Sequence, residues 1–204
     1  MIGILDYGMG NVGSIRNMLK KAGATSEIVH TAAEVAACDK LILPGVGAFD
    51  AGMEQLDASG MREPLDAAVA QGKPVLGICL GMQMLGLSSE EGKREGLGYI
   101  RFRNIRFQLQ DQPALKVPHM GWDVVTLADP ADPLVRGVQE PPRYYFVHSY
   151  HAQCEDDGSA LMTCDYGYPF VAAVRHGNVR GTQFHPEKSH RFGMALLKNF
   201  AEVC

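Results

Sequence analysis

Pro74-Val75-Leu76-Gly77-Ile78-Cys79-Leu80-Gly81-Met82-Gln83-Met84-Leu85-Gly86-Leu87 reads as a short apolar strand, Pro74 to Ile78, that runs without a linker into an apolar helix around Met82 to Leu87. A chain that passes from strand to helix within three residues must turn sharply. Gly77 and Gly81, two before and two after Cys79, are the small residues that permit such an elbow. The turn exposes the sulfur and sets it at a helix N-terminus, where unpaired N–H groups and the helix dipole favour the thiolate. It also aims the Leu80 N–H into the same space, as one donor for a developing oxyanion. The competing interpretation is a small, buried, apolar cysteine, the usual state of that residue. Cys38, Cys154, Cys164 and Cys204 lack the glycine frame and carry only that interpretation.

Outward from the elbow, the first third of the chain alternates short apolar runs with segments of helical period, the pattern of βαβ units and a parallel sheet. Met1 to Asp6, Glu27 to Val29 and Lys40 to Leu43 read as strands. Ser14 to Ala22 places Ile15, Met18 and Leu19 on one helical face and stops at Gly23, and helical segments fill Ala51 to Ala70. From Tyr99 onward the texture changes to short alternating stretches divided by Pro, Gly and Asp: Ile100 to Phe107, Val124 to Leu127, Tyr144 to His151, Val171 to Arg175 and Val179 to Phe184. A last helix covers about Gly193 to Glu202. With no repeat and no Pro/Gly/Ser-rich linker, residues 1–204 are expected to form a single α/β domain, an open mixed, mostly parallel sheet flanked by helices.

The chain has 204 residues, of which 46% are hydrophobic and 21% charged, and a formal net charge of -4, which leaves no electrostatic footprint for nucleic acid or a membrane surface. Its start is too short and too quickly followed by glycines for a secretory signal, and no stretch approaches the ~18 apolar residues of a membrane span. A soluble, cytoplasmic protein with small-molecule and protein partners is expected. Five cysteines without CxxC spacing suggest neither a disulfide framework nor a zinc site, and no metal-ligand spacing is evident among the histidines.

A second motif, Gly181-Thr182-Gln183-Phe184-His185-Pro186-Glu187, puts a histidine at a strand end. Pro186 pushes His185 into extended geometry, in which residues two apart project together, so His185 and Glu187 would stand side by side. A carboxylate on one imidazole nitrogen fixes the tautomer, leaving the other to take a proton from a thiol and return it to a leaving amine. Alone, His-Pro-Glu is an ordinary surface turn; beside a cysteine elbow it completes a nucleophile, base and orienter.

Gly8-Met9-Gly10-Asn11-Val12-Gly13 fits a dinucleotide fingerprint in form. The ribose-binding acid that should close the second strand is missing, since His30 and Thr31 stand there and Glu27 comes too early. A glycine turn between strand and helix needs no cofactor, and none is expected.

The combination of GICLGMQ (Gly77 to Gln83), the Pro44-Gly45-Val46-Gly47 loop and Phe184 to Glu187, in that order, resembles the class I (triad) glutamine amidotransferases. Within that family, LDYGMGN (Leu5 to Asn11), PHMGW (Pro118 to Trp122), YYFVHSY (Tyr144 to Tyr150) and FHPEKS (Phe184 to Ser189) extend the likeness over nearly the whole chain, to the glutaminase subunits of imidazole glycerol phosphate synthases. The resemblance implies a flavodoxin-like fold in which Cys79 attacks the amide of L-glutamine to form a glutamyl thioester, His185 moves the protons and Glu187 holds His185. It implies further that Gly45, Val46, Gly47 and Leu80 form the oxyanion hole. Gln83, Glu91, Ser149 and Tyr150 would hold the substrate, and Met120, Trp122, Tyr145 and Lys188 would lie at a partner interface or the ammonia route.

A chain this short has little room for a second site that consumes ammonia, so a partner is expected. The resemblance makes it a TIM-barrel cyclase, in a heterodimer, that yields imidazole glycerol phosphate and an aminoimidazole carboxamide nucleotide in histidine biosynthesis. The sequence departs from the family pattern at Asp123, where Asn is usual, in the basic run Arg101 to Arg106, and at His190-Arg191-Phe192. Two alternatives stay open at this level: a paralogous glutaminase subunit feeding an amidine-forming enzyme of surface-polysaccharide sugars, and a non-catalytic module gripping a nucleotide at Gly8 to Gly13.

Overall fold

The computed structural model describes residues 1–138 and 141–204. Its first part is a run of βαβ units: β1 (Ile2–Leu5), α1 (Val12–Lys21), β2 (Ser26–Val29), α2 (Ala32–Ala37), β3 (Lys40–Gly45), α3 (Phe49–Ala58), α4 (Arg62–Ala70), β4 (Val75–Cys79) and α5 (Leu80–Met84). Then follow the short β5 (Ser88–Ser89), β6 (Phe102–Arg106), β7 (His119–Leu127), β8 (Arg143–His148), β9 (Tyr150–Cys154), β10 (Ala160–Asp165), β11 (Pro169–His176), β12 (Val179–Thr182) and α6 (His190–Glu202). The strands form one sheet with the main order β2-β1-β3-β4-β12-β11-β10-β7-β8, while β9 joins β11 to β6 and β5.

The strands alternate their side chains between two buried layers, as a period of two demands. Ile42, Leu76 and Ile78 face one layer with Ile15 and Leu19 of α1 and Leu196, Leu197 and Phe200 of α6. Leu41, Leu43 and Val75 face the other, with Phe49, Met53 and Leu56 of α3 and Leu65 of α4. Burial on both faces is why the early strands read as continuous apolar runs.

The open mixed sheet flanked by helices is present, but its parallel part is smaller than the mostly parallel sheet expected. It is parallel from β2 through β1, β3 and β4 to β12, and β5 is parallel to β6. The pairs β12-β11, β11-β10, β10-β7, β7-β8, β11-β9 and β9-β6 are antiparallel. Chain length explains this: a parallel neighbour needs a crossover of a dozen or more residues, whereas Gly177-Asn178, with Gly177 at φ 53°, closes β11 onto β12 as a tight hairpin. β12 is therefore the seam. Thr182 pairs with Ile78 of β4 on its parallel side and with Ala173 of β11 on its antiparallel side.

Tyr144 to His151 is two strands rather than one. β8 pairs with β7, β9 turns away to pair with β6, and the chain bends between them at Ser149. The structure adds α2, opened by a Thr31–Glu34 capping box, and β10, whose sequence Ala-Leu-Met-Thr-Cys-Asp shows little alternation.

Candidate active site

The elbow exists, and backbone crowding explains its glycines. Cys79 ends β4 at φ 56°, ψ -111°, a conformation that L-residues rarely adopt, and α5 begins at Leu80. A Cβ on Gly77 would lie 2.7 Å from the Gly81 carbonyl oxygen, and one on Gly81 would lie 1.9 Å from that of Leu43. The two small residues let the elbow fold back on itself and press against β3. Gly45 pairs with Cys79 across β3 and β4, so the loop that continues through Val46 and Gly47 begins beside the sulfur.

The histidine arrives from the adjacent strand. β12 ends at Thr182, and His185 follows with extended φ and ψ angles of -98° and 96°. The extended path expected to carry His185 on to Glu187 is not followed; Pro186–Lys188 instead forms a 3-10 turn, favoured by proline at its start. The turn still delivers the contact: His185 Nδ1 and Glu187 Oε1 are 2.8 Å apart, both side chains buried. An ionised carboxylate only accepts, so Nδ1 carries the proton and Nε2 is left for the sulfur. Ser189 Oγ donates to the His185 carbonyl at 2.6 Å and accepts from Tyr145 N at 3.0 Å, while His185 N donates to the Tyr145 carbonyl at 3.0 Å. α6 reaches the turn because Gly193 has no Cβ to meet the Pro186 carbonyl.

Burial works against a charged His185, but hydrogen bonds with Cys79 and Glu187 and the negative charge of both outweigh it and raise its pKa to about 9. Because the folded value lies above the ordinary ~6.5, the charged imidazole contributes stability that is complete below about pH 6.5 and is lost as pH rises through about 9. The gap in urea-unfolding free energy between the wild type and His185→Gln should therefore shrink across that window. A gap that stays constant from pH 6 to 10 would contradict the pairing.

Cys79 and His185 open on a cavity of about 270 Å³ lined also by Val46, Gly47, Leu80, Gln83, Glu91, Pro118, Val147, His148, Ser149 and Tyr150. All eight residues expected around the substrate lie here, seven lining the cavity and Gly45 paired with Cys79 at its edge. Gln83 Nε2 donates to the Tyr150 carbonyl at 3.3 Å and to Gln183 Oε1 at 3.1 Å. Glu91 Oε2 accepts from Phe49 N at the start of α3.

Three contributors escaped the sequence reading. Gln183 places Nε2 4.0 Å from Cys79 Sγ. Tyr7 donates to the Pro44 carbonyl at 2.6 Å, next to the Gly45–Gly47 loop; burial, and then the charge of Cys79, pushes its pKa well above the usual phenol value, so it stays a donor. His148 lines the cavity from the end of β8. All three lie inside quoted stretches, Gln183 in the histidine motif, Tyr7 in LDYGMGN and His148 in YYFVHSY, but no role is attached to them there.

The residues expected at an interface share one surface. Met120, Trp122 and Val124 alternate along β7; Met120 is 62% and Val124 47% exposed. Trp122 pairs with Tyr145 of β8 and stacks on His190 at 5.2 Å, and Lys188 Nζ sits 5.8 Å over the Tyr145 ring. Val124 and His190 extend the expected patch. The glycine turn at Gly8 to Gly13 is occupied by the protein itself: Asn11 caps α1 by accepting from Ser14 N, and a Cβ on Gly10 would lie 3.0 Å from Pro44 Cβ and 3.1 Å from Gly45 N. Its glycine allows close approach to the loop beside Cys79.

A family model described as glutamine amidotransferase class-I matches residues 3–204. The chain is 50% identical over 204 residues, covering 100% of both chains, to the imidazole glycerol phosphate synthase subunit HisH 2 of Pseudomonas aeruginosa. It is 47% identical over 206 residues, again covering 100% of both, to the corresponding HisH subunit of Leptospira interrogans. Among solved structures, a putative GMP synthase protein from Thermoplasma acidophilum superposes with a TM-score of 0.72 at 21% identity, covering 98% of this chain and 91% of that one. PurLQS from Thermotoga maritima gives 0.73 at 17% identity, covering 98% and 96%. Those two likenesses speak for the fold.

Proposed function

Because the chain belongs to the class I glutamine amidotransferases and, within them, to the HisH subunits of imidazole glycerol phosphate synthase, we propose that it hydrolyses glutamine at Cys79 and passes the ammonia to a TIM-barrel cyclase subunit. The observation that carries this reading is the convergence of Cys79 and the Glu187-held His185 on one cavity lined by Gln83, Glu91, Ser149 and Tyr150.

The chemistry follows from the geometry. His185 Nε2 takes the thiol proton of Cys79, and Glu187 stabilises the imidazolium through Nδ1–H. The sulfur attacks the side-chain amide carbon of glutamine, and N–H groups of Leu80 and the Gly45–Gly47 loop receive the oxyanion. His185 returns the proton to nitrogen, the C–N bond breaks, and ammonia leaves a glutamyl thioester. Water, deprotonated by the same nitrogen, then cleaves the thioester to glutamate and the free thiol. Glu91 is a fitting partner for the substrate's ammonium group, and Gln83, tied to the Tyr150 carbonyl, braces the opposite wall.

The face formed by Met120, Trp122, Val124 and Tyr145 is the surface we assign to the cyclase. Buried aromatic anchors dominate such interfaces. Trp122→Ala is expected to weaken association about 30-fold or more, read as Kd by calorimetry, and to raise the ratio of glutamine consumed to product made. An unchanged Kd and ratio would move the interface elsewhere.

The test of the function is to mix the protein with the imidazole glycerol phosphate cyclase of the same organism, with glutamine as the only nitrogen source. Cys79-dependent formation of imidazole glycerol phosphate supports the reading. Labelling of Cys79 by a glutamine chloroketone without synthesis would keep the glutaminase and direct the search to sugar-amidating acceptors.

A further inference from the structure

A row of polar side chains on the inward face of β7 and the end of β8 runs from the partly exposed Asp123 to the substrate cavity. Asp123 Oδ2 lies 2.6 Å from His119 Nε2, His119 Nδ1 lies 3.1 Å from His148 Nε2, and His148 Nδ1 lies 2.8 Å from the Tyr150 carbonyl oxygen. Both histidines are buried, whereas the Asp123 side chain is 39% exposed. His148 lines the cavity, and the carbonyl it holds also accepts from Gln83 Nε2, so the last contact fixes the Ser149–Tyr150 wall.

Proton counting makes this row unusual. Its two ends, a carbonyl and a carboxylate, can only accept, so three contacts need three protons, but two neutral imidazoles bring two. With two protons, one of the short contacts must set acceptor against acceptor, whichever tautomers are chosen. We propose that Asp123, His119 and His148 form a positioning relay for the glutamine cavity, complete only when the Asp123–His119 pair carries one proton more than two neutral rings supply. The relay gives an exposed carboxylate control over the backbone that holds the substrate. It rests on the glutaminase reading of the cavity.

The surroundings decide where the extra proton resides. His148 is packed against Phe107, His119 and Phe170, and also feels His151 and His185; burial holds its pKa down to about 3, so it stays neutral. His119 stacks on Tyr166 and Phe146, meets Phe107 and Phe170 at their edges, and has Asp123 as its only carboxylate contact among the described residues. Two further titratable groups flank Asp123: Tyr144, its register partner on β8, whose phenol burial keeps neutral, and Cys164 of β10, whose thiol is raised out of the neutral range by burial and then by the Asp123 charge. For His119, burial lowers the pKa more than Asp123 raises it. The relay is therefore complete only on the acid side of the ordinary histidine range and has lost its extra proton by the time pH rises into that range.

Asp123→Asn separates this device from a merely structural contact. The amide is nearly isosteric, and its NH2 donates to His119 Nε2, so every contact is satisfied without the extra proton. The probe is a glutamine chloroketone, with the half-saturating concentration for labelling Cys79 as the readout; the probe's own amino group titrates alike for both proteins. From the acid limit of the folded state up to pH 8 the wild-type value should rise about fivefold relative to that of Asp123→Asn, a change on the scale of one hydrogen bond. Superimposable profiles, with Cys79 labelled normally, would overturn the relay. Absence of labelling at Cys79 in both proteins would instead remove the glutaminase reading on which it stands. Ring-nitrogen and carboxyl-carbon NMR of the wild type gives a second check that needs no variant: the Asp123–His119 pair should take up one proton as pH falls below the ordinary histidine range, while His148 keeps a single proton on Nδ1 throughout. A pair that takes up no proton between pH 8 and the acid limit of the folded state would equally reject the proposal.

Discussion

Cys79→Ala should lower glutamine-dependent turnover by at least about four orders of magnitude while leaving turnover with added ammonia unchanged. The substitution removes one sulfur atom and keeps the Cβ, so the strained elbow at φ 56°, the 2.8 Å contact between His185 and Glu187, and the packing of α5 have no reason to change. No neighbour can replace the nucleophile: Gln183, whose Nε2 lies 4.0 Å from the sulfur, is not one, and the other four cysteines stand outside the cavity. The two donors separate the two halves of the reaction. Steady-state assays of the complex with glutamine and with ammonium salt give the comparison, and equal loss with both would refute the division of labour between the chains.

The largest expected effect on stability is at Gly81. An alanine there would place its Cβ 1.9 Å from the Leu43 carbonyl oxygen and 2.8 Å from its carbon, both backbone atoms of a central strand that cannot rotate away. The elbow must open or β3 and β4 must part, at a cost of about 3 kcal/mol or more, which for a chain of this size lowers Tm by about 6–12 °C. Gly13→Ala is the matched control. It lies near the start of α1 with nothing within 4 Å of the added carbon, so it should hold or raise stability by about 0.5–1 kcal/mol. In thermal unfolding the Gly81→Ala midpoint should fall while that of Gly13→Ala holds or rises; a Gly81→Ala protein that melts with the wild type would mean that the elbow is not as tightly packed as described.

What the sequence made legible follows from how locally each feature is encoded. The elbow, the βαβ start and the Ile15, Met18 and Leu19 face of α1 are written in neighbouring residues, and they fold as read. The capping box of α2 is equally local, in Thr31-x-x-Glu34, but a helix of six residues has too little helical period to point to it. β10 was unreadable for another reason: its place is set by β11 and β7 on either side, and its own residues do not alternate. The bend at Ser149 is likewise decided by strand partners, since β6 and β7 pull Tyr150 and His148 different ways. For the site, motif residues could be named, but the roles of Tyr7, bonded to Pro44 beside the loop, and of His148, lining the cavity, come from contacts with distant parts of the chain that the stretches LDYGMGN and YYFVHSY do not spell out.

The seam at β12 sets a gauge for the chemistry. The thiol sits on the last residue of β4 and the imidazole just past the end of its hydrogen-bonded neighbour β12, so their spacing is ruled by the ~4.8 Å pitch between strands rather than by the volumes of the side chains around them. Core residues can drift in size through evolution without detuning the pair. A slip of one residue between these strands, by contrast, would turn every side chain to the opposite layer and unmake both cores at once. Misalignment of the catalytic groups thus has no mild form in this architecture: the chain that folds at all folds with its nucleophile and base in register.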